Sequence, residues 1–584
     1  MCGIFGFIGY KDDYLLKTMG ECLSHRGPDD EDYFKKDLVN LGYRRLSIID
    51  VKKSFQPLFN EDKSIVLLFN GEIYNFGELR EKLSKHKFIT DGDGETIIHW
   101  YEEHGPFGFK DLNGMFAFTL YDLKKGKVYL VRDHFGIKPL YYYAQNNQII
   151  YASEIKAILK KIKARPNTKV IRNYLLTRAH DNTDETFFTG IKRIPFGSYL
   201  EWDIKTGKHT MNSFWSSPSE ASITKEPVNE LETINKFREL FLDSVKLRLI
   251  SEVPVGTALS GGLDSSAVVC TVPNLKTFSA VFPGGVNNEE DYIDEVVAKT
   301  GVKAFKVYPK VFEFWQDTEK LISAQDEPMI STGPYAQWKV MEKARAEGIK
   351  VIIDGQGVDE MLAGYIPYHF VYFKELLGKK DYLKLIVEII MARDLIIPLI
   401  KSKFKSQFDV GSLFPFTTPN NKVSNNLKSR LRKDLFYDSL PALLRYEDHN
   451  SMAFSIESRV PFLDYRLVEF VLSLPSNYII RNGWNKWIMR QALKDLLPKK
   501  IATRRWKVGF STPEVAWLRQ SAEKIREIFQ SKTFLSRPYF NHAKIQAAFE
   551  DFVSGKNDDS MVFWRIINVE LWLRQYFDQT RVKI

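Results

Sequence analysis

The chain begins MCGIFG, which sets one of its 3 cysteines directly behind the initiator methionine. A cysteine there can be a small hydrophobe opening a buried strand. It can also be a nucleophile: once Met1 is removed, Cys2 carries a thiol and a free α-amine, and an amine of pKa roughly 7.7–8.0 can act as general base for its own side chain. The run FNGEIYN (69–75) reads as a strand end turning through Asn70-Gly71. It offers the Asn70 side-chain amide and the Gly71 N–H to a developing oxyanion, each such donor being worth about 3 kcal/mol. A plain Asn-Gly hairpin turn is the alternative. Arg45, in YRRLSIID, suits a bidentate grip on a carboxylate. Glu72, with Asp93 of TDGDGET, can hold an α-ammonium group. Nucleophile, oxyanion donors and two charge clamps describe a site for an α-amino acid with a reactive side-chain carbonyl. Glutamine fits, with ammonia as leaving group.

A second chemistry is written in SGGLDSS (260–266), which follows an expected strand and opens a helix, the usual seat of a phosphate site. Gly261 and Gly262 let the backbone approach a pyrophosphate, and Ser260, Ser265 and Ser266 add hydroxyl donors. Asp264 belongs beside phosphates only with a magnesium ion between them. A glycine turn with a serine helix cap is the competing reading. The Gly-Lys-Ser/Thr ending of a Walker A loop is missing, so γ-phosphate transfer is not implied. The loop resembles the PP-loop of ATP pyrophosphatases. Downstream, VIIDGQGVDEMLAGY (351–365) ends a strand in a glycine-rich turn, and strand ends of a parallel sheet are where ligands bind. There Asp359 and Glu360 can complete a magnesium site or hold an acceptor amine, unless they are solvated loop carboxylates.

These residues need at least two domains to carry them, as 584 residues exceed one ordinary core. Hydrophobic content of 44% with 27% charged residues describes a globular chain. Residues 1–212 are rich in short β-like runs; a Ser/Pro-bearing stretch at 213–229 reads as a linker; residues 230–584 alternate helices with short apolar strands and turn helical beyond about 365. The expectation is a β-rich α+β domain followed by an α/β domain with a helical C-terminal part. Ile234, Phe237, Phe241 and Val245 recur at helical spacing and predict an amphipathic helix over 230–249. The stretch YLKLIVEIIMARDLIIPLI (382–400) is broken by charges and reads as a packed helix pair, not a span. Three scattered cysteines imply neither a disulfide framework nor a zinc site, and with no secretory pattern a reducing, cytoplasmic compartment is expected. The net charge of +10, from 83 basic against 73 acidic residues, is spread without a basic tract. No nucleic-acid and no membrane partner is expected.

Taken in order, MCGIFG, HRGPD (25–29), RLSIID (45–50), NGEIYN (70–75), GMFAF (114–118), RDHFGIKPLYY (132–142), LSGGLDSS (259–266), SIESRVPFLD (455–464) and RRWKVGFSTP (504–513) resemble the glutamine-hydrolysing asparagine synthetases of the B type over nearly the whole chain. The resemblance implies an Ntn-hydrolase αββα sandwich, a class II glutamine amidotransferase, joined to a PP-loop ATP-pyrophosphatase-like synthetase domain. It implies that Cys2 attacks glutamine, with Asn70 and Gly71 at the oxyanion-hole positions and Arg45, Glu72 and Asp93 at the glutamine-binding positions. It further implies that MgATP activates aspartate as β-aspartyl-AMP, reached by ammonia through an internal tunnel. Ser260 to Ser266 match the pyrophosphate loop. Leu259, Val281, Asp354 and Gly355 match adenosine-binding positions, and Lys507 matches a lysine that stabilises charge during attack on the adenylate. A homodimer is what the family suggests.

Two positions depart from that pattern: Gln356 stands where the second loop often has Glu, and Ser458 where Ala is common. Gln356 keeps open an amidotransferase acting on another carboxylate, in a surface polysaccharide or a peptide precursor. An intramolecular amide synthetase of the β-lactam-forming kind would lose the N-terminal nucleophile, which Cys2 and an intact NGEIYN argue against. An RNA-modifying PP-loop protein would need a basic or aromatic-interleaved module, which does not occur. A non-catalytic scaffold would show decay in one of the sites.

Overall fold

Alternating apolar residues in the first 213 positions pair into two six-stranded antiparallel sheets. The structure is a computed structural model that describes residues 2–218, 229–285, 288–405, 409–416, 424–507, 509 and 511–578. The first sheet runs, in spatial order, Lys192–Arg193, Tyr141–Gln145, Gln148–Ala152, Cys2–Ile8, Val39–Arg45, Asp30–Lys36. The second runs His209–Ser213, Ser198–Asp203, Lys127–Arg132, Gly114–Asp122, Ile65–Ile73, Leu58–Phe59. Their inner faces meet in one core, Ile4, Leu41 and Tyr43 against Val66, Leu68 and Leu130. Helices Asp13–Cys22 and Thr168–Thr177 cover the outer face of the first sheet through Leu15, Met19 and Tyr174. Helix Gly94–His104 covers the second through Ile97, Ile98 and Trp100. The result is a helix–sheet–sheet–helix stack. Cys2–Ile8 is buried at every position because both of its faces are covered, which is why MCGIFG lacks polar alternation.

One expectation is corrected. The chain does not turn at Asn70-Gly71. Both lie inside strand Ile65–Ile73, opposite Ala117 and Phe116, and the chain leaves the sheet only after Ile73. A two-residue Asn-Gly hairpin needs positive φ at both residues, whereas here only Gly71 has it, at +154°.

The second half builds on helix Glu230–Leu247, whose Phe237, Phe241 and Val245 are buried as the periodicity predicts. A five-stranded parallel sheet follows in the order Ala304–Val307, Lys276–Ala280, Val255–Ala258, Val351–Ile353, Glu457–Arg459. The edge strand Glu457–Arg459 is too polar for the sequence pattern to reveal. Its charges are tolerated in the interior because Arg459 Nε pairs with Glu457 at 2.6 Å. Of the expected linker at 213–229, residues 219–228 lie outside the described residues. Residues 382–400 do form a helix pair, within Tyr382–Met391 and Arg393–Lys405, but much of its apolar surface stays exposed.

A buried polar seam joins the two halves. Arg26, fully buried, pairs through Nη1 with Glu154 and with Asp448 of helix Leu440–Ala453, both at 2.8 Å, and its Nε donates to the Cys2 carbonyl at 3.3 Å. Lys138 lies 3.6 Å from the same Asp448. Removing one partner of a buried ion pair leaves uncompensated charge and costs about 3–5 kcal/mol. Arg26→Met should therefore lower the denaturant midpoint by that equivalent. An unchanged midpoint would mean that the seam is not a structural joint.

Candidate active sites

Cys2 ends the central strand of the first sheet, directly opposite Arg45 in the register. Its backbone nitrogen, the α-amine once Met1 is removed, donates to Asn70 Oδ1 at 2.9 Å. That bond ties the end of the first sheet to the second and orients the Asn70 amide. Asn70 Nδ2 is buried and has no partner, an unused donor beside the nucleophile. Buried donors are seldom left unpaired, so this atom suits a charge that appears only on ligand binding. Gln56, missed in the sequence, exchanges hydrogen bonds with the Phe69 backbone at 2.7 and 2.8 Å and directs its Nε2 at Cys2 Sγ, 3.7 Å away. Burial raises the Cys2 thiol above its ordinary pKa, with Arg45 opposing the shift. Burial thus favours the neutral thiol over the thiolate.

The clamp residues surround this point. The Arg45 guanidinium is aimed by the carbonyls of Asp50 and Val51, at 2.9 and 3.2 Å, and lies over the Phe55 ring. Asp93 Oδ2 accepts from the Ile73 N–H at 2.7 Å, and burial pushes its pKa up to about 6. Burial also holds Glu72 well above the usual range, its nearest cation being Arg459 at 3.4 Å. Glu72 Oε2 is buried without a hydrogen bond. Two desolvated carboxyls, one with an orphan oxygen, fit an incoming ammonium group. Gly71 is required for steric reasons: a Cβ there would sit 2.0 Å from the Met115 carbonyl oxygen.

The second site lies at the C-terminal ends of strands Val255–Ala258 and Val351–Ile353, around a cavity of about 390 Å³. Ser260, Gly262, Asp264, Ser265, Asp354, Gly355, Asp359 and Lys507 all line it. The loop is preorganised, with Ser265 Oγ accepting from the Ser260 N–H at 3.1 Å and Ser260 Oγ accepting from the Gly262 N–H at 3.3 Å. Gly261 takes φ +72° and presents its carbonyl to Arg504 at 3.0 Å. Asp264 and Asp359 converge on one cation, the Lys486 ammonium, at 2.6 Å each. Lys507 also reaches both, pairing closely with Asp359 and lying 3.5 Å from Asp264. Although burial works against it, the two lysines hold Asp264 below its ordinary pKa.

Not every expected residue reaches the cavity. Leu259 and Val281 bury their side chains in the core beneath it, and Ser266 Oγ is buried without a partner. Glu360 is not among the residues lining the cavity; it accepts from the Ser439 hydroxyl at 2.7 Å and from that of Tyr365, a cavity residue, at 3.1 Å. Lys486, Arg490 and Glu289 line the cavity and were not anticipated, because they come from distant segments without a local motif; Arg504 lines it too and opens the RRWKVGFSTP run, where only Lys507 was singled out. Glu289 pairs with Arg504 at 2.6 Å, yet burial lifts its pKa to about 7.

Gln356 lines the cavity too, and its Nε2 donates to Glu447 at 3.3 Å. Glu447 also accepts from Gln337 and Ser458. Burial, with Asp354 beside it, holds Glu447 well above the usual carboxylate range. A carboxyl group therefore stands next to position 356 although position 356 carries none. Ser458, the second departure, is one of its hydrogen-bond donors. Glu447 and Asp448 are neighbours on one helix, the first bonded to Gln356 of the cavity lining and the second to Arg26, whose Nε reaches the Cys2 carbonyl. Overpacking of the kind a Gly71 Cβ would cause costs about 1–3 kcal/mol. Gly71→Ala should lower the unfolding midpoint correspondingly, and an unaltered midpoint would contradict the strand geometry.

Comparison with known proteins agrees with this two-site arrangement. The family profile described as Asparagine synthase matches residues 236–574, and that described as Glutamine amidotransferase domain matches residues 1–215. Glutamine-hydrolyzing asparagine synthetase 1 of Bacillus subtilis (strain 168) is 28% identical over 98% of this chain and 96% of its own. Asparagine synthetase 2 of the same strain is 32% identical over 87% of this chain and 72% of its own. Asparagine synthetase B of Escherichia coli (strain K12) is 28% identical, covering 86% and 81%. The chain belongs to the asparagine synthase family and carries a glutamine amidotransferase domain ahead of its synthase domain.

Proposed function

We propose that this protein is an ATP-dependent, glutamine-hydrolysing asparagine synthetase, with residues 1–212 as an Ntn-type glutaminase domain and 230–584 as the synthetase domain. The observation that carries the reading is the Cys2 nitrogen on Asn70 Oδ1 with Asn70 Nδ2 left unpaired beside it. Arg45 receives the α-carboxylate of glutamine, and Glu72 and Asp93 receive its α-ammonium. The Cys2 amine takes the thiol proton as Sγ attacks the side-chain amide carbon. Asn70 Nδ2 and the Gly71 N–H stabilise the oxyanion. The proton returns to the leaving ammonia, and water then releases glutamate from the thioester.

In the synthetase cavity the Ser260–Ser265 loop binds the pyrophosphate of ATP while the aspartate side-chain carboxylate attacks the α-phosphorus. Pyrophosphate leaves, and β-aspartyl-AMP remains. Ammonia attacks its carbonyl, expelling AMP and giving asparagine, and Lys507 offsets the negative charge of that step. The convergence of Asp264 and Asp359 on a single cation position is a hard-oxygen donor pair that fits magnesium. When bound, the ion would neutralise charge on the pyrophosphate leaving group. Ammonia passes between the two sites inside the protein.

The direct test supplies glutamine, MgATP and aspartate to Met1-processed protein and follows asparagine, AMP and pyrophosphate. All three should form in equal amounts; glutamate without AMP would remove aspartate as the acceptor. Cys2→Ala should abolish glutamine-driven synthesis and retain ammonia-driven synthesis. Lys507→Met should slow AMP formation about 10²–10³-fold, as loss of one charge-stabilising group does, with glutamine hydrolysis retained.

The pH profile tests the ammonium clamp. Asp93 titrates near 6 and must be ionised to hold the glutamine ammonium. Glutaminase kcat/KM should therefore fall as pH drops through about 6, mainly through KM, and Asp93→Asn should be low at every pH. A profile flat to pH 5 would take Asp93 out of the glutamine site.

A further inference from the structure

Of the 24 exposed large hydrophobic side chains among the described residues, ten fall between Leu377 and Ile400. Scattered apolar residues on a surface are ordinary, but a contiguous apolar patch marks an interaction site. Leu383, Ile386, Val387 and Ile390 recur at i, i+3, i+4 and i+7 on helix Tyr382–Met391, so they form one stripe, and Leu383 is 82% exposed. Ile397 and Ile400 of the following helix are exposed as well.

The outward direction of this face is fixed by polar anchors beneath it. Buried Glu388 accepts from the Asn482 and Gly483 N–H groups, each at 2.8 Å. Asp394 pairs with Arg505 at 2.6 Å, and Arg505 donates to the Met391 carbonyl at 2.9 Å. Rolling the helix to bury the stripe would break these contacts.

The charges around the patch are mostly basic. Lys374, Lys380 and Arg393 are exposed near it, and Lys384 lies on the same helix. Of its acids, Glu375 and Glu388 are buried and Asp394 pairs with Arg505, which leaves Asp381, exposed where it caps the helix through the Lys384 N–H, against those cations. An apolar stripe with a cationic rim matches an anionic lipid interface, where acyl chains take the stripe and headgroups take the rim. A second copy of the chain would bring two rims of like charge together. No helix among the described residues is long and apolar enough to cross a membrane, so the contact is peripheral.

We propose that the outer face of the helix pair Tyr382–Met391 and Arg393–Lys405 is a docking site for an anionic phospholipid surface. The inference is independent of the reaction assigned above. It replaces the expectation of no membrane partner with peripheral attachment. It also brings the membrane close to Arg505, which both holds the hairpin and lines the synthetase cavity.

The test is flotation of the full chain with vesicles of phosphatidylglycerol and phosphatidylcholine against vesicles of phosphatidylcholine alone. Binding should require the anionic lipid and weaken as salt is raised. Leu383→Asp with Ile386→Asp should weaken it at least about tenfold, since the change replaces two apolar side chains of the stripe with charges that the anionic surface repels. Glutamine hydrolysis, unchanged in that variant, reports that it is folded. Failure to float with anionic vesicles, or equal flotation of the variant, would overturn the proposal. So would a dimer seen by light scattering that the same double substitution dissolves, because a second copy would then be the occupant.

Discussion

Arg26 is the fixed point of this molecule. Its guanidinium satisfies Glu154 in the first domain and Asp448 in the second while reaching the carbonyl of Cys2. A buried charge is tolerated only with full pairing, so the two domains can close on each other only in the arrangement that completes this set. The same arrangement places helix Leu440–Ala453 between the two sites and brings Arg459 to Glu72. The synthetase domain thereby contributes a cation to the environment of the glutaminase clamp, so neither half is finished without the other.

The two sites use different physical means. Around Cys2, strands Cys2–Ile8 and Val39–Arg45 and the Asn70 side chain fix the thiol, while Asn70 Nδ2 and Glu72 Oε2 are left unpaired, which suits the proposed ligand. The site stores unsatisfied polarity in a desolvated place, where a fitting ligand gains most. In the synthetase cavity the charges are instead satisfied by one another, Asp264 and Asp359 with Lys486 and Lys507. ATP bound in the proposed site would have to displace or share those pairs, which would couple its binding to the positions of two lysines on separate segments.

Much of this was legible in the residues. MCGIFG, NGEIYN and SGGLDSS were among the short strings that pointed to the family, which the matching family profiles bear out. The Asn70-Gly71 turn was misread because a pair that usually makes a hairpin was selected here for other reasons: Asn for its amide and Gly for the contact with Met115. Lys486, Glu447 and Gln56 left no local signal, since each comes from a distant segment whose approach depends on tertiary packing. Strand Glu457–Arg459 was hidden by its polarity, which makes sense only beside the partners that neutralise it. The hairpin at 382–400 was seen as a helix pair, but periodicity does not say what a face meets.

The account rests on the two sites acting as one enzyme, with ammonia passed between them inside the closed interface. The most direct measurement supplies glutamine labelled with ¹⁵N at its amide, in an excess of unlabelled ammonium, together with MgATP and aspartate, and reads the isotope in the asparagine amide. Retention of most of the label, against the dilution that the bulk ammonium would impose, is the predicted result. Label diluted to the bulk ratio would contradict it, leaving two independent sites on one chain.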